Sequence, residues 1–161
     1  MLLIPWELLC EDGGTNQGLV KEIIEVAAAD PLIFDAVIRG MLHVNPSVRM
    51  QSAEMAEKVA QVRPFFLTPY KRLLLEEIAG IEEVEVRQRV ALLYGRVFWD
   101  EWDLKRAVAL LGEWIEKKQS EQIVISSLHS LHTLAMQKEW IYPIYLEHLK
   151  KVTEGIELPL S

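Results

Sequence analysis

Apolar residues recur at spacings of three and four along most of the chain, and short polar or proline-containing turns interrupt them. This spacing places apolar side chains on one face of an α-helix. Proline is favoured in the first turn of a helix, where its missing N–H would have no partner. The pattern therefore predicts about eight helices, the segment at the N-terminus being a short addition. They lie near residues 3–9, 17–29, 31–43, 47–62, 66–79, 84–98, 101–118, 121–137 and 140–154.

Strand patterns are nearly absent from the sequence. Residues alternate between apolar and polar only at 84–86 and 156–160, and both stretches are shorter than a typical strand. The first also lies inside a helical stripe. We therefore expect an all-α fold, with residues 1–161 forming a single domain.

The helical pattern repeats at an interval of 38 residues. The apolar stripe Val48, Met55 and Val59 superposes on an equivalent stripe in each of two later copies. Those copies contain Val86, Leu93 and Val97, and then Val124, Leu131 and Ala135. A repeated pair of helices is the simplest source of this coincidence, and such pairs stack on their neighbours. The predicted pairs lie near 17–43, 47–79, 84–118 and 121–154.

Two segments carry a recognisable signature at the start of the second helix of a pair. Residues 45–53 read NPSVRMQSA and residues 85–91 read EVRQRVA. They resemble HEAT repeats, in which a polar turn precedes Val-Arg and an Ala follows four residues later. The third copy departs from this pattern, because Ile125 replaces the Arg and His129 replaces the Ala.

The resemblance extends over about residues 17–154 and implies a right-handed α-solenoid of HEAT or armadillo type. Proteins of this kind usually present an extended surface to a protein partner, so we expect an interaction scaffold. By the same resemblance, Arg49 and Arg87 would reach along the stack to a carboxylate or carbonyl of the adjacent turn, a role that suits a bidentate donor. Direct contact of these arginines with a partner is the alternative.

Composition and charge narrow the class of protein. The 161 residues are 50% apolar, and 24 acids against 17 bases give a net charge of −7. This composition excludes disordered and collagen-like chains. A lone Cys10 cannot form a disulfide within the chain, which favours a reducing, cytoplasmic setting. The N-terminal apolar run lacks a preceding Lys or Arg and contains Glu7, so we expect it to cover the core rather than to direct secretion.

Residues suited to catalysis or cofactor binding are scarce. Cys10 is the only thiol and lies in a terminal segment, and no glycine-rich phosphate loop follows a strand. We therefore expect no enzymatic activity, no cofactor and no metal. His129 and His132 could share a metal ion, but a site needs further ligands. The favoured interpretation is that their helix row packs between repeats; the row contains Ile125, His129, His132 and Met136.

The outward row of the second helices is the most informative surface. In a curved stack these helices line the concave side. The row includes Gln51, Glu54, Lys58, Gln61, Arg89, Arg96, Trp99, Ser127, Ser130 and Gln137. Because Trp and Arg are enriched at binding hot spots, we expect Arg89, Arg96 and Trp99 to form the centre of a protein-binding groove. The alternative is that Trp99 fills the turn before Asp100 and the arginines form a solvated face.

Two other functions remain open. Some HEAT-like proteins are DNA glycosylases, and Trp99, Asp103 and Trp140 could take the parts of their lesion-contacting residues. The net charge of −7 argues against nucleic-acid binding, which depends on neutralising phosphates. The apolar N-terminal end could also form a homodimer, since an uncapped end of a stack tends to associate.

Overall fold

The structure, a computed structural model, describes residues 4–10 and 16–155, and these residues form nine α-helices and no strand. The helices are α1 (Trp6–Leu9), α2 (Gln17–Ala29), α3 (Pro31–Arg39), α4 (Pro46–Val62), α5 (Lys71–Leu75), α6 (Val84–Tyr94), α7 (Glu101–Lys117), α8 (Glu121–Ala135) and α9 (Ile141–Glu154). The all-α prediction is confirmed. The alternating stretch at 156–160 lies outside the described residues.

Polar side chains start most of the long helices where the sequence predicts them. The N–H of Leu19 donates to Asn16 Oδ1 at 3.1 Å at the start of α2. The N–H groups at the starts of α7 and α8 find equivalent partners in Asp100 and Ser120. Such caps satisfy N–H groups that have no partner within the helix. The turns of the sequence therefore set the helix starts locally.

The predicted helix over 66–79 is not continuous. A 3₁₀ segment covers Pro64–Tyr70, α5 has five residues, and a second 3₁₀ segment covers Ile78–Gly80. Pro69 lies inside the first segment, and a proline lacks the N–H that an α-helix needs there. The predicted helices at 31–43 and 84–98 also end early, at Arg39 and Tyr94.

The even-numbered helices form a row in which each packs on the next. Helix α4 contacts α2 and α6, and α6 contacts α8. The other helices cover this row, with α3 on α4 and both α7 and α9 on α8. A single apolar core runs between the helices, and Tyr94 is fully buried in it, donating to the carbonyl of Leu74 at 2.5 Å.

The described part of the N-terminal segment covers the core, as predicted. Leu9 is fully buried, and Trp6 packs against Gly40, where a Cβ would lie 2.7 Å from the indole. Leu8 stays exposed. Among the described residues, no helix combines the length and apolar character needed to span a bilayer.

Helix α8 is turned differently from the prediction. Ser127 and Ser130, expected on the outward row, are fully buried, and Ser130 Oγ donates to the carbonyl of Ala91 at 2.5 Å. The expected buried row faces outward instead, with Ile125 58% and Met136 75% exposed. The small serines allow α6 and α8 to approach closely, so the serine face becomes the contact face.

The same reversal places the two histidines of α8 outside the packed interface. His129 and His132 are both exposed, so the prediction that they pack between repeats is wrong. Within residues 4–10 and 16–155, α8 is the last helix of the even-numbered row, so no further helix of that row covers this face. The ring of His132 instead lies 5.0 Å from that of Tyr145 on α9.

Candidate functional site

A buried carboxylate lies between α4 and α6 and gathers three donors. Glu57 has a side chain only 2% exposed. Arg89 Nη1 lies 3.2 Å from its Oε1, and Arg96 Nη2 lies 3.2 Å from its Oε2. Gln61 Nε2, one turn further along α4, donates to the same carboxylate at 3.0 Å. We call Glu57, Gln61, Arg89 and Arg96 the Glu57 cluster.

The electrostatics of this cluster explain its arrangement. A buried carboxylate is costly unless it is paired and hydrogen-bonded. One guanidinium group reaches Glu57 from α6 and the other from the turn that follows it, and Glu54 lies 3.6 Å from Arg89. The side chains of Arg89 and Arg96 remain 27% and 33% exposed. Arg89 therefore joins α4 to α6, and Arg96 joins α4 to the turn after α6, while both keep part of their surface in contact with solvent.

Trp99 does not join the two arginines at this surface. Its Nε1 donates to the carbonyl of Tyr94 at 2.9 Å, and its ring meets the Tyr94 ring edge-on at 5.4 Å. Trp99 also packs against the apolar core. These contacts match the alternative interpretation of this residue, which fills the turn before Asp100.

An exposed aromatic pair, which the sequence analysis missed, lies beyond the Glu57 cluster. Phe65 and Phe98 stack with ring centroids 5.1 Å apart and an interplanar angle of 17°. They are 71% and 49% exposed, and Val62, three residues before Phe65, is 58% exposed. Phe65 follows the end of α4, and Phe98 follows the end of α6. We call Val62, Phe65 and Phe98 the aromatic edge.

A polar groove borders the other end of the Glu57 cluster. Its volume is about 220 Å³, and residues of α2, α4 and α6 line it. Glu54 and Arg89 belong to this lining, together with Glu85. Along α4 the surface thus changes from the polar groove to the Glu57 cluster and then to the aromatic edge.

The two signature arginines take the structural role that the resemblance implied. Arg49 pairs with Glu83, with Nη2 2.9 Å from Oε2, and its Nη1 donates to the carbonyl of His43 at 2.8 Å. Arg87 donates to the carbonyl of Ala79 at 3.2 Å and to Gln119 Oε1 at 3.1 Å. Each arginine thus bonds both to the turn before its own helix and to the turn leading to the next helix of the row.

The residues considered for DNA repair do not converge. Trp99 is engaged with Tyr94, whereas Trp140 Nε1 donates to Glu101 Oε1 at 2.9 Å. Asp103 lines a separate cavity beside α7 that neither tryptophan lines. The geometry therefore offers no shared pocket for these three side chains.

The lone thiol and the potential metal ligands can be placed in the described residues. Burial raises the pKa of the Cys10 thiol, which lowers the fraction of reactive thiolate. Over residues 4–10 and 16–155, no three side chains of His, Cys, Asp or Glu cluster as metal ligands would.

Comparison of the chain with protein-family models, with curated proteins and with solved structures finds no match in any of the three.

Proposed function

We propose that this chain is a non-catalytic scaffold that binds a protein partner through the aromatic edge and the adjoining Glu57 cluster. The observation that carries the proposal is the stacked pair of Phe65 and Phe98, which remains exposed although both side chains are aromatic. Aromatic and arginine side chains dominate the energetics of protein interfaces. A preformed aromatic pair also loses little conformational entropy when a partner covers it.

The proposed architecture is a right-handed α-solenoid related to HEAT repeats. One support is the row of even-numbered helices. The other is that Arg49 and Arg87, which are 38 residues apart, make related contacts in successive units. Stacks of this kind have few contacts between distant repeats, so a long surface remains available for docking.

The partner chemistry that fits this surface is an apolar side chain flanked by acidic residues. Val62 and the two phenylalanines supply the apolar contact. Lys58 lies one helical turn before Val62 and is exposed, and Arg96 keeps a third of its side chain exposed. Residues one turn apart share a helix face, so Lys58 borders the aromatic edge, and Arg96 precedes Phe98 by two residues.

We place the protein in the cytoplasm, because its single cysteine is suited to a reducing compartment. The N-terminal end remains a secondary candidate for a homodimer contact. Leu8 is exposed there, although Trp6 and Leu9 pack against the chain's own core.

Partner capture by a paired variant tests the proposal. Phe65→Ala combined with Phe98→Ala should abolish capture of the partner while leaving the melting temperature within a few degrees of the wild-type value, since neither residue is buried in the core. Leu32→Ala is the matched control, because Leu32 is as exposed as Phe65 at 71% and lies on α3. Unchanged capture by the double variant would contradict the proposal.

A further inference from the structure

A second cavity lies on a different surface, between α7 and the broken segment that contains α5. Its volume is about 760 Å³, within the range of small-molecule sites. The cavity exists where the chain forms the five-residue α5 and a 3₁₀ turn at Ile78–Gly80 instead of a full-length helix. We call it the α5–α7 cleft.

Arg87 lines this cleft and carries a charge that no described carboxylate neutralises. The residue is 4% exposed, and its Nη atoms donate to two neutral oxygens, Gln119 Oε1 and the carbonyl of Ala79. Its Nε is buried without a hydrogen-bond partner. In the described part of the chain, no carboxylate oxygen lies within 4.0 Å of this guanidinium. Buried charges in proteins are normally paired, so this guanidinium favours an anion in the cleft that it lines.

Arg106 of α7 lines the same cleft and adds a second cation. Burial raises the pKa of Tyr94, and the charges of Arg106 and Arg87 oppose that rise. Both guanidinium groups therefore act on one buried phenol from two different helices. Arg106 also lacks an ion pair within the described ranges.

The carboxylates of the cleft only partly offset these cations. Arg72 binds Glu76 at 2.8 Å, and Lys117 lies 3.6 Å from Glu113, so two of the acids have their own partners. The remaining charged side chains of the lining are Lys71, Glu82, Arg87, Asp103 and Arg106, which leaves a net charge of about +1.

Trp102 gives the cleft a flat apolar surface, and the buried Trp114 packs against Arg87. The ring of Trp114 lies 5.3 Å from the guanidinium carbon of Arg87. Trp102 is 83% exposed and lies one helical turn before Arg106, so it borders the same face of α7. A planar ligand placed against Trp102 would bring an attached anionic group toward the two arginines.

We propose that the α5–α7 cleft binds a small organic anion, in which a phosphate or carboxylate group is attached to a planar aromatic body. Arg87 and Arg106 hold the anionic group, and Trp102 stacks on the aromatic body. This site is independent of the aromatic edge, so its failure leaves the proposed scaffold function untouched.

Isothermal titration with three probes tests the site and identifies the anionic group. We expect 1-naphthyl phosphate, 1-naphthoate or both to bind one site with a Kd at or below about 1 mM, whereas neutral 1-naphthol does not bind measurably. The stronger of the two anions identifies the preferred group. Absence of saturable binding by both anions, or equal binding of 1-naphthol, would overturn the proposal.

Variants on α7 locate the binding to this cleft. Arg106→Met should weaken binding of the tighter-binding anion about tenfold or more, because a hydrogen bond to a charged group is lost. Trp102→Ala should weaken it about threefold, because the stacking surface is lost. Both side chains are exposed, so the fold should tolerate these changes. Lys105→Met removes the same charge from α7 but lines the cavity on the α9 side, and it should leave the affinity unchanged. Equal weakening by Lys105→Met and Arg106→Met would place the binding elsewhere.

Discussion

Arg49 on α4 forms an ion pair with Glu83, the residue that immediately precedes α6, with Nη2 2.9 Å from Oε2. The Nη1 of Arg49 donates to a carbonyl in the turn before α4. One side chain thus connects the starts of two neighbouring helices of the row. Arg87 repeats part of this arrangement at the next step, with Ala79 and Gln119 as acceptors. Contacts that recur in this way fix the positions of successive helices relative to one another along their axes.

The ion pair between Arg49 and Glu83 predicts a particular pH dependence. The hydrogen bond from Arg49 lowers the pKa of Glu83 below its ordinary value. A carboxylate whose folded-state pKa is lowered stabilises the fold above its ordinary pKa, and this contribution is lost as the pH falls through the folded-state pKa. Between about pH 6 and pH 3, the unfolding free energy should therefore fall less steeply in Glu83→Gln than in the wild type.

Urea unfolding at several pH values measures this slope. Glu85→Gln serves as the control, because Glu85 is exposed and its substitution removes the same charge two residues away. Its pH profile should follow that of the wild type. Superimposable profiles for Glu83→Gln and the wild type would show that the pair does not contribute.

Glu57 should be important for stability although it lies at a candidate binding surface. Glu57→Gln keeps the shape of the side chain but removes the charge that Arg89 and Arg96 share. We expect the unfolding free energy to fall by about 2 kcal/mol, because hydrogen bonds to a charged group are lost. Glu54→Gln, on the exposed side of Arg89, should change it by less than about 0.5 kcal/mol. Chemical denaturation distinguishes the two, and equal effects would argue against a special role for Glu57.

Removing the arginines should also destabilise the fold. Arg89→Ala with Arg96→Ala leaves the Glu57 carboxylate buried without its cations, at a cost of about 3 kcal/mol. Adding Glu57→Leu should recover a large part of the loss, because an apolar residue needs no partner there. Thermal unfolding of the double and triple variants gives the comparison. A triple variant less stable than the double would contradict this explanation.

Gly95 should not tolerate a side chain. A Cβ at this position would lie 2.8 Å from Ser130 Oγ and 3.1 Å from Ser130 Cα, where α6 and α8 meet. Gly95→Ala should therefore lower the unfolding free energy by about 1–3 kcal/mol. Gly80→Ala, where nothing lies within 4 Å, should be neutral or slightly stabilising. Melting curves that rank these two variants in the opposite order would refute the close approach.

The sequence predicts the helices well because their determinants are local. Caps such as Asn16 and Asp100, and prolines at first turns, act within a few residues of the helix they begin. The contacts of Arg49 match what the resemblance to HEAT repeats implied for this position, which the repeat period alone does not give. The break near Pro69 is visible as well, but the apolar spacing around it favours a longer helix than the chain forms.

The face of α8 could not be predicted from apolar spacing. That spacing places Ile125 inside and Ser130 outside, yet Ser130 is buried because its hydroxyl bonds to a carbonyl of α6. Similarly, the stacked pair of Phe65 and Phe98 joins residues from two different turns. Such pairings depend on how the helices pack against one another, and the local sequence pattern does not predict that packing.

Photo-crosslinking from the aromatic edge tests the central claim most directly. A benzoylphenylalanine placed at position 65 should form a discrete adduct with one protein partner in cells that express the chain, because Phe65 lies in the proposed docking surface. The same probe at position 32, where the native side chain is equally exposed at 71%, should not form this adduct. An identical adduct pattern at both positions, or no adduct at position 65, would contradict the proposal that this edge binds the partner.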